Sequence, residues 1–289
     1  MRSARLLAAL GVLVLGGGAG AESAAAPETI RFPSADGTTS LVGFLFLPGG
    51  PGPHPAIVLL HGRSGPYSSL ARGVYTATTL SGRHLAWGRF WREQGYVALL
   101  VDSFGPRGYP AGFPRDSYRQ RPAAVSEQTV RPLDAYGALA YLRARGDVMG
   151  DRVGLQGWSN GAMTALVTMS DTAPGITRPT PATGFRAAVA LYPGCNMEHV
   201  KQRFVPYAPV LMLIASADDE VSPKACESLA ERSRAAGAPV EIVVYDGAEH
   251  NFDDPGRAKQ AGEANRRATA DARVRAARLF EAALKRRPD

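Results

Sequence analysis

Residues 154–163 read GLQGWSNGAM, and their setting decides the fold. A serine, Ser159, stands between Gly157 and Gly161. Before it runs the apolar stretch Arg152–Leu155; after it comes the helix-prone segment 160–170. A serine on a tight strand–turn–helix needs small neighbours, because side chains beside it would collide. The same letters also suit an ordinary glycine-rich loop, in a chain with 32 glycines. The surroundings must choose between the two.

Outward from this stretch, short continuous apolar runs recur. They are 56–60, 98–101, 152–155, 187–191, 210–214 and 240–245, and two early strands are expected before them, at 29–33 and 40–47 around the turn Ala35-Asp36-Gly37. Runs apolar on every residue and bounded by turns are strands buried on both faces. Helical spacing falls between them, at 83–94 and at Leu133, Tyr136, Leu139, Ala140 and Leu142 within 130–145. Alternation of this kind predicts an α/β fold: a mostly parallel central sheet of about eight strands with helices on both faces. In open α/β sheets, ligands bind beyond the carboxyl ends of the strands. Four polar clusters fall there: His61–Gly65, the Ser159 turn, Ser216–Glu220 and Asp246–His250.

The N-terminus reads separately. Arg2 and Arg5 precede the apolar run Leu6–Leu15, and small residues lead to Ala19-Gly20-Ala21. This is the pattern of a secretory signal peptide, with cleavage expected after Ala21. The run is too short for a membrane anchor, which needs ~20 residues. Residues 22–289 are then one domain, with its core in about 27–286, exported to the periplasm or secreted. No stable membrane insertion is expected after cleavage. Loss of Arg2 and Arg5 lowers the formal charge from +7 to +5. Much of the excess lies between Arg266 and Arg287, where Val274, Ala277, Phe280, Ala283 and Leu284 mark a terminal helix with a solvated basic face. No nucleic-acid partner is expected. Two cysteines, Cys195 and Cys226, allow either a disulfide in an exported protein or two buried thiols.

The pieces IVLLHGRSG, VDSFGPRG, RVGLQGWSNGAM, LYPGC, IASADDEVSP and YDGAEHNFD cover most of residues 55–254. Together they resemble the dienelactone hydrolase family of the α/β-hydrolase superfamily, whose triad runs serine, acid, histidine in chain order. The resemblance implies Ser159 as nucleophile and His250 as base, ahead of His54, His61, His84 and His199. It implies Asp218 as the acid through the spacing D-x-x-V, leaving Asp219 and Glu220 as solvated loop charges. Backbone N–H groups of Arg63 and Asn160 would form the oxyanion hole. Arg107 and Trp158 are assigned to substrate binding. For Arg107, the family's carboxylate contact competes with simple pairing to Asp102 or Asp116.

Three positions depart from the family. Its nucleophile is a cysteine, where this chain has Ser159. Its second substrate arginine corresponds to Asp254, and an acidic residue before the active site corresponds to Gly62. The expected activity is therefore a serine hydrolase of carboxylic esters or lactones, without cofactor or metal. Its partner is a small-molecule ester or lactone, and its oligomeric state stays open. Peptidase-like acyl transfer, or a non-catalytic binding protein of the same fold, are the competing readings.

Overall fold

In the computed structural model, residues 26–286 are described; the expected signal peptide at 1–21 lies outside them. One eight-stranded sheet organises the chain, in the order β1-β2-β4-β3-β5-β6-β7-β8. Its strands are β1 Glu28–Pro33, β2 Ser40–Phe46, β3 His54–Leu60, β4 Val97–Asp102, β5 Val148–Trp158, β6 Ala188–Leu191, β7 Val210–Ala215 and β8 Val240–Tyr245. β1 pairs antiparallel with β2, and β2 with β4; every later pairing is parallel. The chain is thus an α/β protein with the expected mostly parallel sheet.

Strand periodicity divides the core into two layers. Side chains alternate across a strand. Ala56, Val58 and Leu60 of β3 join Val97, Leu99 and Val101 of β4 on one face. Ile57, Leu59, Ala98 and Leu100 point to the other. The first face is covered by α2 Arg131–Arg143, α3 Asn160–Met169 and α4 Pro223–Ala235. The second is covered by α1 Gly82–Glu93 and α6 Glu263–Phe280, through Trp87, Trp91, Ala268, Ala272 and Phe280. A short α5, Arg257–Ala261, precedes α6.

Two helices start on a side-chain cap. Ser81 caps α1 by accepting the His84 N–H, and Ser222 caps α4 by accepting the Ala225 N–H, with Pro223 in the first turn. α4 buries Cys226, Leu229, Ala230 and Ser233, which share one face at helical spacing, and leaves its charged face exposed. No described helix is long and apolar enough to cross a membrane.

Candidate active site

Strand β5 ends at Trp158 and α3 starts at Asn160, so Ser159 alone makes the turn. Its backbone stands at φ 51°, ψ −115°, a conformation side-chain-bearing residues seldom adopt. The Ser159 N–H donates to Leu191 O at 2.9 Å, and its carbonyl accepts the Met163 N–H. The turn closes only because its flanks are glycines. A Cβ on Gly157 would overlap the Gly161 carbonyl, and one on Gly161 would overlap the Leu60 carbonyl. The strand–turn–helix expected of GLQGWSNGAM is therefore what forms.

Two further loops converge on this turn. The one after β7 brings Asp218, and the one after β8 brings His250. The Ser159 hydroxyl and His250 Nε2 lie 3.1 Å apart, and His250 Nδ1 lies 2.7 Å from Asp218 Oδ2. With Nδ1–H donating to the carboxylate, Nε2 is free to accept the serine proton. All three side chains are nearly or fully removed from bulk solvent. The other Asp218 oxygen accepts the N–H groups of Glu220 and Val221, each at 2.9 Å, which fixes the carboxylate's orientation. Asp219 points outward and pairs with Arg115, as a solvated loop charge should.

Glu220 departs from that expectation. Its side chain is mostly buried, takes both Nε and Nη2 of Arg63 at 3.1 Å, and approaches His250 Nε2 to 3.8 Å. Burial opposes its ionisation, but the Arg63 bonds and the His250 charge hold its carboxyl below the ordinary value. Nothing in the sequence distinguishes Glu220 from Asp219, since both sit in one short loop and differ only in where the turn points them.

Among the described residues, no protein acceptor takes the backbone N–H of Arg63 or of Asn160. The Arg63 peptide is set by His61. Its ring Nδ1–H donates to Gly62 O at 2.7 Å, while its Nε2 accepts the Ser103 N–H at 3.2 Å. Carbonyl and N–H of a trans peptide point opposite ways. Drawing the Gly62 carbonyl toward the His61 ring therefore turns the Arg63 N–H away from it. Arg131, fully buried, holds the preceding carbonyl by donating to His61 O at 2.6 Å. On the other side, Arg121 reaches the Asn160 side-chain oxygen at 2.7 Å and Glu127 at 2.9 Å.

Two expected contacts do not form. Arg107 is spent on Asp134 (2.8 Å to each oxygen), Asp36 (2.9 Å) and Ser103 O. It ties the β4 end to α2 and to the β1–β2 turn, pairing with neither Asp102 nor Asp116. Four bonds to protein leave its guanidinium no direction toward the serine. Trp158 is fully buried and donates its indole N–H to Asp253 at 2.8 Å, so it backs the turn from inside the core. The same carboxylate takes the Trp87 indole, the Tyr192 hydroxyl and the Arg83 guanidinium. Tyr192 in turn lies edge-on to the His250 ring, with centroids 4.7 Å apart. Asp253, buried, accepting three hydrogen bonds and paired with the Arg83 charge, carried no sequence signal beyond its nearness to His250.

Cys195 and Cys226 are joined in a disulfide, with Cα atoms 5.0 Å apart. It ties the loop after β6 to α4, beside the site.

The dienelactone hydrolase family profile matches residues 41–284. The chain belongs to the dienelactone hydrolase family. It is an enzyme of the ester-hydrolysing class. Solved structures share the fold of this family member at low identity. One is a dienelactone hydrolase-like promiscuous phosphotriesterase, P91, from metagenomic libraries: 19% identical, TM-score 0.63, covering 90% of this chain and 99% of that one. Another is esterase 2 of Thermogutta terrifontis, solved phosphorylated by paraoxon: 16% identical, TM-score 0.62, covering 92% and 97%.

Proposed function

We propose that this dienelactone hydrolase family member is an exported serine esterase working through an acyl-enzyme. The observation that carries the reading is the unbroken chain Ser159 Oγ, His250 Nε2, His250 Nδ1, Asp218 Oδ2 at 3.1 and 2.7 Å. A serine hydroxyl is a weak nucleophile until a neighbouring base takes its proton. His250 takes it as Oγ attacks the ester carbonyl, and Asp218 stabilises the imidazolium. The uncommitted N–H groups of Arg63 and Asn160 receive the oxyanion, with His61 and Arg131 acting through the Gly62–Arg63 peptide to aim the first of them. Losing one such donor costs about 3–4 kcal/mol in the transition state. Water activated by His250 then releases the acid.

Ser159→Ala should lower kcat by about four orders of magnitude or more while leaving the fold intact. A fluorophosphonate probe should attach to Ser159. Full activity in the variant, or a folded wild-type protein that is never labelled, would reject the mechanism and favour a binding protein.

Export rests on the N-terminal pattern Arg2, Arg5, Leu6–Leu15 and Ala19–Ala21, and is supported by the disulfide, which persists in oxidising compartments. The exported protein should begin at Glu22; a chain still beginning at Met1 would refute cleavage.

A further inference from the structure

Two cavities meet at the serine. One, of about 600 Å³, is lined by Ser159 and His250. The other, of about 480 Å³, is lined by Ser159 and Asn160. Arg63, paired with Glu220, borders both. Each falls in the range of a small-ligand site.

The chemistry of acyl transfer says which half of a substrate enters which cavity. In acylation a bond forms from Oγ to the carbonyl carbon, and the bond from that carbon to the alkoxy oxygen breaks. The proton that left Oγ for His250 Nε2 passes to the departing oxygen, so the alcohol must leave on the histidine side. In deacylation water loses a proton to the same nitrogen, and Oγ regains it. With the carbonyl oxygen facing the N–H groups of Arg63 and Asn160 and the alcohol on the histidine side, the cavity bordered by Asn160 is what remains for the acyl chain. The alcohol therefore belongs to the larger cavity and the acyl group to the smaller.

The two linings differ in kind. The alcohol side presents Ser64, Ser69, Asn251 and the Arg83–Asp254 pair. Among the described residues, the exposed hydroxyls of Ser64 and Ser69 and the half-buried carboxamide of Asn251 make no hydrogen bond to protein, so they are open to a ligand entering from solvent. Hydroxyl and amide groups both donate and accept, as alcohol hydroxyls do. The acyl side presents Met163, Cys195, Val221 and the Tyr118 ring, with four arginines, Asp116 and Glu220 around them, two of the arginines paired with Glu220 and Glu127. We propose, resting on the serine-esterase reading, that the substrates are open esters of a sugar or similar polyol, with the polyol in the larger cavity and an apolar acyl group in the smaller. A small lactone, whose acyl and alkoxy arms are one ring, would occupy neither arm in full.

The test uses the full-length mature protein and two butyrate esters of equal ring size, methyl 6-O-butyryl-glucopyranoside and cyclohexylmethyl butyrate. The sugar ester should have the higher kcat/KM, by about tenfold, from two or three added hydrogen bonds. Ser64→Ala with Ser69→Ala should lower the sugar-to-cyclohexyl ratio about fivefold. Val221→Phe should shift both alcohols from butyrate toward acetate and leave that ratio in place. Because each reading is a ratio, a general loss of fold or rate cancels. A cyclohexyl ester cleaved as fast as the sugar ester overturns the proposal. So does a Ser64/Ser69 variant that alters acyl preference instead, or a six-membered lactone preferred to both. Failure of the underlying reading shows separately, as a wild-type protein neither labelled at Ser159 nor active on p-nitrophenyl butyrate; that result ends both.

Discussion

Arg63 and Glu220 grip one another in a two-point ion pair, Nε to Oε2 and Nη2 to Oε1, both at 3.1 Å. The pair puts a second carboxylate 3.8 Å from His250 Nε2, while Asp218 meets Nδ1 at 2.7 Å. Two acids thus flank one imidazole, on opposite nitrogens. Only the acid on Nδ1 can hold the ring in the tautomer that accepts the serine proton.

The roles separate by mutation. Asp218→Asn should lower kcat/KM about 10³- to 10⁴-fold, through the wrong tautomer. Glu220→Gln should lower it less than about tenfold, since the amide oxygen still accepts one of the two Arg63 N–H bonds and no proton passes through it. Steady-state kinetics on one ester checks both. A larger loss at Glu220 than at Asp218 would reverse the assignment.

Asp253 is expected to matter for stability and activity together. Its carboxylate is fully removed from solvent and takes two indoles, a phenol and a guanidinium from α1, β5 and the end of β6. Removing one partner of a buried charged network costs far more than the network contributes net. Asp253→Asn should destabilise by about 2–4 kcal/mol, read from the urea midpoint at constant slope. It should also lower kcat, because Tyr192 no longer holds its place against His250. A neutral effect on both would remove Asp253 from the site's support.

The disulfide joins residues separated by 31 positions. In the chain-entropy view, closing a loop of that length stabilises by about 3–4 kcal/mol. Replacing both cysteines by alanine should cost about that much in urea unfolding. Thiol counting on the unreduced, denatured protein should find none; two free thiols would exclude the bond.

Acid should weaken the fold through buried histidines. Burial, with the nearby Arg83 charge, pushes His84 down to about 4. Burial, with Arg131, also pushes His61 well below its ordinary value. The unfolded chain binds these protons near pH 6.5 and the folded chain does not. The stability contributed by neutral His84 is therefore complete above about pH 6.5 and is lost as pH falls toward 4, at about 1.4 kcal/mol per pH unit per proton. His84→Gln should flatten the pH dependence of the urea midpoint across that window. An unchanged slope would assign the acid sensitivity to other groups.

Much of the molecule is written locally. Apolar runs mark the central strands, because a strand buried on both faces has no polar position to spare, while the edge strands β1 and β8 leave most positions at least partly exposed and mix polar residues in. Gly157 is local too, since a Cβ there would meet the Gly161 carbonyl across the turn, whereas Gly161 has no room because the Leu60 carbonyl at the end of β3 lies against it. Ser159, Asp218 and His250 stand at strand ends in the chain order that the family resemblance implies.

What only the tertiary structure decided are partners far apart in sequence. Arg107 looked like a substrate contact, yet it answers to Asp36 and Asp134, at 71 and 27 residues' remove. Glu220 looked like its neighbour Asp219, yet one turn of loop points it at Arg63 instead of water. Cys195 and Cys226 were equally compatible with a bond and with two thiols. Periodicity reports which face of an element is buried, because burial repeats with the backbone; it carries no record of which loop a charged side chain meets, since that depends on how separate elements pack.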